Sequence, residues 1–303
     1  VNNGGTTNGA LGVGWSLSGI SKITRVGKSL LHDGMWSSVA FTQEDRFAFN
    51  GMRLIAVKDS SGNQLTTLNQ RNQAYSKTGT IYHTANETWT KVTGYGSGAK
   101  GPDSLIAYDK DGRCFVFGNS ANTRINSFPF DGSTIVSWLL SSISDTNGNR
   151  IIYSYKKGLR TAVVSEISYN TNPKVGMTEG AKKVLFGYSS NRTDSLGWYQ
   201  AGLNFQNPYL LDTITTMVYN KIAKRVYLNY KVVNNLSVLS QISEADQNNN
   251  SLPPITLDVS QASNGLKADS TYGVKGNSIV YDGSWSGTWM SDVDGDGLKD
   301  FVY

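Results

Sequence analysis

Asp45-Arg46-Phe47-Ala48-Phe49-Asn50-Gly51-Met52-Arg53-Leu54-Ile55-Ala56-Val57 decides the fold class, because two apolar runs meet at an Asn-Gly pair. Asn-Gly supplies the positive φ that a two-residue hairpin turn requires, so the stretch predicts two tightly joined antiparallel strands. Downstream, Asp59-Ser60-Ser61-Gly62-Asn63, Asp109-Lys110-Asp111-Gly112-Arg113 and Asp145-Thr146-Asn147-Gly148-Asn149 repeat one D-x-x-G-[N/R] turn. Gly again gives the positive φ, and the Asp side chain bonds its own backbone two residues on. The recurrence is a weak internal repeat. Between Val136 and Tyr230 the runs Val163 to Tyr169, Lys183 to Tyr188, Ile214 to Tyr219 and Arg225 to Tyr230 are β-branched and aromatic, as strands require. Val226, Leu228 and Tyr230 fall on one face and Arg225, Tyr227 and Asn229 on the other, which predicts a sheet packed on one side and facing water or a partner on the other. Glycines at 9, 12, 14 and 19 forbid a stable helix there. The fold class is therefore all-β, a hairpin-rich, sandwich-like sheet domain.

Composition narrows the function. The 303 residues carry a formal charge of +5, but the 28 basic residues are scattered and build no stripe, so nucleic acid is not an expected partner. No 18-residue apolar run exists, so no membrane span is expected, and no signal peptide is visible. A single cysteine, Cys114, excludes an internal disulfide; alternation in Arg113-Cys114-Phe115-Val116-Phe117 makes it a core-like strand residue. Catalytic signals fail one by one. Gly14-Trp15-Ser16-Leu17-Ser18 misses the nucleophile elbow at its fifth position, and only His32 and His83 exist to serve as a base. Gly96-Ser97-Gly98-Ala99-Lys100-Gly101 fits a dinucleotide fingerprint, but Pro102 follows and no helix opens to receive a phosphate. The chain is expected to be non-enzymatic. The enzyme alternative is a retaining glycosidase using acids such as Glu166 and Glu179, which no motif ties together.

The dense ligand cluster is Asp292-Val293-Asp294-Gly295-Asp296-Gly297-Leu298-Lys299-Asp300. Carboxylates at positions 1, 3, 5 and 9, a backbone carbonyl from Leu298 and a sharp turn at Gly297 suit a hard, oxygen-seeking cation. Like charges this close repel unless a cation sits between them. Calcium is expected, with Asp292, Asp294, Asp296, Leu298 and Asp300 as ligands, because no Cys or His lies nearby for zinc. The preceding Trp285-Ser286-Gly287-Thr288-Trp289-Met290 reads as strand and turn, so the loop resembles those of FG-GAP and VCBS propeller repeats and not an EF-hand.

Several motifs in order resemble the N-terminal region of the SpvB family. They are Gly9-Ala10-Leu11-Gly12-Val13-Gly14-Trp15-Ser16-Leu17, then Ile23-Thr24-Arg25, Asp45-Arg46-Phe47, Val136-Ser137-Trp138, Ile143 to Asn149, Ser251-Leu252-Pro253-Pro254, and the acidic loop. That family includes the Salmonella plasmid virulence protein, the B components of insecticidal Tc toxins and large bacterial proteins with RHS/YD repeats. The resemblance implies a β-rich domain over 1-260 and, over 261-303, the beginning of an FG-GAP/VCBS propeller segment with the calcium loop. Turn residues crowd at Ser263-Asn264-Gly265 and from Gly273 to Gly276, where the seam is expected. The implied function is a non-catalytic structural scaffold of a secreted or cell-surface bacterial toxin-like protein, helping form a shell or a docking surface. Its implied partners are other domains of the same long polypeptide, the propeller and an RHS shell, with a toxin-complex subunit or a host surface beyond them. A carbohydrate-binding module or adhesin is the alternative. The family's catalytic parts, an ADP-ribosyltransferase domain or the RHS autoproteolytic site, have no counterpart in this sequence. The chain opens on Val1 without an initiator Met and is expected to be a piece of a longer polypeptide.

Overall fold

The computed structural model describes residues 8–96, 100–127, 134–178, 180–190, 192–195, 197–257, 289–291 and 300–302. The chain divides into two compact units, Val1–Val259 and Ser260–Tyr303. In the first, a small hairpin of β1 (Asn8–Gly9) and β2 (Gly12–Val13) leads to β3 (Lys22–Val26) and a one-turn helix, α1 (Leu30–Asp33). The Asn-Gly hairpin then forms as its residues require, from β4 (Arg46–Phe49) and β5 (Met52–Lys58), with Asn50 and Gly51 at φ 50° and 84°. After helix α2 (Leu68–Ala74) come β6 (Ile81–Thr84), β7 (Lys91–Tyr95), β8 (Ser104–Tyr108), β9 (Cys114–Phe117), β10 (Arg124–Asn126) and β11 (Ile135–Ser144). The remainder is β12 (Arg150–Lys157), β13 (Ala162–Thr171), β14 (Lys182–Ser189), β15 (Gly197–Gln200), β16 (Leu203–Gln206), β17 (Leu210–Val218), β18 (Lys221–Val233), β19 (Leu236–Asp246) and β20 (Ile255–Thr256). None of the helices among the described residues is long and apolar enough to cross a membrane.

The all-β class holds, and its layering is a closed ring with an outward sheet. Strands β3, β4, β5, β6, β7, β8, β9 and β11 pair in that order and close through β9 and β11. From β11 the sheet continues outward through β12, β13, β14, β17, β18, β19 and β20. Strand β11 is the junction because its 10 residues are long enough to serve different neighbours along their length. Trp138 faces Ile23 of β3 on one edge and Arg124 of β10 on the other. Further along, Ser142 faces Val116 of β9 on one edge and Ile152 of β12 on the other. Closure removes the exposed edges that an open sheet would present. At the far end, β20 is only two residues long and follows Pro253 and Pro254, which have no N–H to offer an incoming strand.

Inside the ring, Phe47, Leu54, Tyr82, Leu105, Phe117 and Trp138 are fully buried. Each such side chain stabilises the fold by roughly 1.5–3 kcal/mol. Phe47 meets Trp138 edge-on at 5.2 Å and Tyr82 at 5.8 Å, the geometry the ring quadrupole favours. The Trp138 Nε1–H donates to the Pro102 carbonyl at 3.0 Å, so the largest core side chain buries no unpaired polar atom. Gly118 has φ 68°, and a Cβ there would stand 2.4 Å from Trp138 Cδ1; only glycine admits the indole. A second core joins Leu11, Leu211, Leu228 and Leu239, with Val226 and Tyr230 packed against it, which is the face the sequence assigns to packing. Gly12 lets β2 lie against β19 there, since a Cβ would stand 2.4 Å from the Ser237 carbonyl oxygen. A third cluster, Phe41, Val136, Leu203 and Phe205, seats the β15–β16 hairpin. Cys114 departs from expectation. It is free and only half-buried, because β9 buries Phe117 alone, and it stands opposite the exposed Tyr108 across the β8–β9 pair.

Candidate functional site

The chemistry of the first unit is concentrated in two buried ionic nodes. Strand β4 is buried at all four positions: Phe47 and Phe49 join the ring core, while Arg46 lies under α1 and α2. Asp33, on α1, accepts from Arg46 Nε at 2.7 Å and from the Ser29 N–H at 2.8 Å, and also from Arg53. Arg46 further donates to the Glu44 carbonyl at 2.7 Å and to Asn72 on α2, and its guanidinium lies 4.0 Å over the Tyr75 ring. Burial pushes the Asp33 carboxyl up, but the hydrogen bonds from Arg46 and Ser29 and the charges of Arg46 and Arg53 outweigh it and hold the group below its ordinary value. Burial raises the Tyr75 hydroxyl to about 12, so it stays protonated and donates to the Leu54 carbonyl. Alongside, Arg25 donates to the Ile135 carbonyl at 2.6 Å, to the Thr42 carbonyl at 2.9 Å and to Asp45 at 3.2 Å, and contacts the Lys100 carbonyl. Its guanidinium stands 5.5 Å from the Trp138 ring centroid.

The second node ties the start of the chain to the outward sheet. The side chains of Arg192 and Asp194 are each 1% exposed and meet at 2.7 Å. Arg192 also donates to the Gly9 carbonyl at 2.6 Å and to the Asn8 side chain. Asp194 accepts from Asn8 Nδ2 at 3.0 Å, from the Ser237 N–H at 2.6 Å and from Ser237 Oγ at 2.8 Å. In both nodes, charge that is expensive to bury is matched by hydrogen bonds to distant backbone. These arrangements clamp strands together.

Of the metal ligands expected from sequence, Asp292, Asp294, Asp296 and Leu298 lie outside the described residues. Asp300 opens β22 (Asp300–Val302), which pairs antiparallel with β21 (Trp289–Ser291), so the acidic stretch joins two strands of a hairpin. Among the described residues no group of three or more His, Cys, Asp or Glu could hold a metal. The phosphate pattern fails for the reason its Pro102 suggests: Gly101, at φ 133°, leads into strand β8 and not into a helix, and the Lys100 carbonyl engages Arg25. Residues 97–99 are outside the described set. His83 stands 3.5 Å from Glu87 on the surface, and His32 lies within α1. Glu166 stands 3.6 Å from Lys183, and Glu179 lies outside the described residues. Sequence reasoning missed both ionic nodes. For the first, the available signal was Arg46 and Asp45 placed directly beside the aromatic alternation of β4, a charge where a core strand has no solvent to give it.

The fold is a ring-and-sheet all-β domain whose buried Arg–Asp pairs join its strands. Residues 2–212 match the family model described as Salmonella virulence plasmid 65kDa B protein, and the chain belongs to this SpvB family. The N-terminal domain of effector protein SpvB from Salmonella typhimurium strain LT2 shares the fold with TM-score 0.62 at 17% identity, over 80% of this chain and 91% of that one. The structure of TcdB2-TccC3-Cdc42 matches with TM-score 0.59 at 16% identity, over 84% of this chain and 14% of that chain. A Photorhabdus luminescens Tc holotoxin pore matches with TM-score 0.61 at 18% identity, over 83% and 14%. The described chain therefore spans about one seventh of those toxin chains. Comparison with curated protein sequences finds no match.

Proposed function

We propose that this chain is a non-catalytic module of a larger, secreted or cell-surface bacterial toxin-like polypeptide, where it builds part of a shell or presents a docking surface. The observation that carries the reading is the recurrence of the same fold as nearly all of one effector domain and as a small part of two toxin-complex chains. The side-chain chemistry supports it, because the buried ions are engaged in joining strands and the half-exposed Glu166 is paired with Lys183. Its proposed partners are the domains that follow in such a polypeptide, a propeller and an RHS-type shell, and a toxin-complex subunit. The Ser260–Tyr303 unit is proposed to bind calcium through Asp292, Asp294, Asp296, Asp300 and the Leu298 carbonyl. That all-oxygen donor set fits the ion, and the strand pair around it fits a propeller-type loop. A carbohydrate-binding reading has one observation in its favour: the β15–β16 hairpin exposes Tyr199 at 75% and Trp198 at 47%, the latter stacked on Phe205 at 5.5 Å. Incubation of the chain with a panel of glycans separates these readings. The scaffold predicts no turnover, glycan binding without turnover favours the carbohydrate module, and hydrolysis abolished by Glu166→Gln would overturn both.

A further inference from the structure

A cleft of about 350 Å³, near the lower end of the range for small-ligand sites, opens on the outer face of the ring where β11 meets β12. Ile143, Ile151 and Tyr153 turn to the ring core, so alternation puts Ser142, Arg150, Ile152 and Ser154 on the opposite face. Ser142 faces Ile152 and Ser144 faces Arg150 across the strand pair. Arg150 and Ser142 are therefore diagonal neighbours, about 7–8 Å apart and within reach of an arginine side chain. The other wall is a single 3-10 turn, Ala121–Thr123, with Asn119 and Ser120 leading into it. That turn is firmly held. Asn122 exchanges two hydrogen bonds with the Tyr155 backbone, both at 3.0 Å, Ser141 Oγ donates to Thr123 at 3.0 Å, and Lys157 donates to the Ala121 and Arg124 carbonyls. Walls fixed in advance lower the ordering cost of binding.

The polar groups left over on the cleft select its ligand. Ser142 is only 7% exposed, yet among the described residues its Oγ has no hydrogen-bond partner and is not sealed in, so it opens on the cleft. A buried hydroxyl in that state is a group awaiting a partner. The Arg150 guanidinium likewise has neither a hydrogen bond nor an ion pair among the described residues, and no carboxylate lines the cleft among them. Asp145, in the turn before β12, is taken by Asn149 at 2.9 and 2.7 Å, and Glu166, opposite Ser154 on β13, by Lys183 at 3.6 Å. One guanidinium without a counter-charge suits a monoanion, and its planar fork matches a carboxylate. The hydroxyl and amide groups around it suit a ligand that carries hydroxyls, and half-buried Ile152 offers an apolar surface between them. We propose that this cleft binds an acidic sugar of the uronate type, with its carboxylate on Arg150, its hydroxyls on Ser142 Oγ and the Asn119 amide, and its C–H face on Ile152. The site is separate from the β15–β16 hairpin and goes beyond the scaffold reading without depending on it.

Saturation-transfer NMR titrations of the full chain with glucuronate, glucose and inorganic phosphate test it. Glucuronate should bind, and glucose, which keeps the hydroxyls and lacks the charge, at least tenfold more weakly. Arg150→Gln should weaken glucuronate at least tenfold at an unchanged melting temperature, because the exposed guanidinium holds no other part of the fold among the described residues. Arg150→Lys should recover only part of that loss, since it restores the charge and not the fork. Ser142→Ala should weaken glucuronate severalfold. No binding of glucuronate, equal binding of glucose, or binding that survives either Arg150→Gln or Ser142→Ala overturns the proposal. Phosphate bound as tightly as glucuronate also overturns it, since the cleft would then be a bare oxyanion site. Hydrolysis of a glycan would sink the scaffold reading and leave these outcomes standing, so the two fail separately.

Discussion

Arg192 and Asp194 are two residues apart and together hold strands that the chain brings in from far away, Asn8 at one end and Ser237 at the other. An unpaired buried charge costs more than the pair is worth, so deleting one partner destabilises by roughly 3–5 kcal/mol even though replacing both with apolar residues can be neutral. Burial alone would raise the Asp194 carboxyl, but the hydrogen bonds from Arg192, Ser237 and Asn8 outweigh it and the group titrates well below the usual carboxylate range. A carboxyl depressed in the folded state stabilises above its unfolded pKa of about 3.9 and loses that contribution as pH falls through the folded value. The urea midpoint is therefore expected to stay level from about pH 7 to pH 5 and to fall below about pH 4. Asp194→Asn should lower the midpoint at neutral pH and flatten the acid slope without abolishing it, because Asp33 is held low in the same way. A midpoint unchanged at neutral pH would show that the node contributes nothing. None of this was legible in the sequence, where Arg192-Thr193-Asp194 is an ordinary polar tripeptide; its meaning depends on partners that only the folded sheet supplies.

The repeated five-residue turn carries the element scale. In three of its copies the Asp side chain accepts from the N–H four residues on, at 2.9 Å each time, and the fourth residue is Gly at φ 83°, 77° and 93°. The structure adds a fourth copy, Asp246-Gln247-Asn248-Asn249-Asn250, with the same bond at 2.9 Å and Asn249 at φ 66°. The sequence concealed it because Asn replaces the glycine that made the others visible, although Asn is the next residue to tolerate the left-handed region. The chemistry of a turn is local and so can be read from five residues. Two opposing effects fix the expected mutational outcome. Asn249→Gly relieves a modest left-handed penalty but adds unfolded-chain entropy, so it should change stability by less than about 0.5 kcal/mol. Asn249→Ala keeps the Cβ and loses the polar side chain suited to that region, and should cost about 1–2 kcal/mol. Equal thermal melts for the Ala and Gly variants would show that the backbone conformation at 249 is not what constrains the turn.

At the scale of the whole molecule, the legible strand pairs are those joined by a tight turn, such as β4 with β5, β8 with β9 and β17 with β18. The pairing of β11 with β3, which turns a run of hairpins into a ring, leaves no local signal, because Trp138 and Ile23 reveal their register only when brought together. The same limit holds in the second unit. The sequence showed an acidic loop between strand-like flanks, and β21 and β22 pair there as Ser291 with Asp300, but ligand geometry needs the loop itself. The calcium proposal is therefore tested in solution. Four carboxylates within nine residues repel, so an added cation should favour the folded hairpin. Its effect should grow as RT ln(1 + [Ca]/Kd), about 2.7 kcal/mol at a hundredfold excess over Kd. Magnesium should be the weaker ligand, since it demands near-octahedral geometry and gives up water reluctantly. Trp285 and Trp289 stand just before the loop in sequence, so tryptophan fluorescence reports the titration together with the melting temperature. Calcium should give a saturable fluorescence change and a higher melting temperature, both reversed by chelator and both lost in Asp294→Ala. If the native chain and Asp294→Ala respond identically to calcium, the stretch from Asp292 to Asp300 is an acidic turn and the metal has no place in this protein.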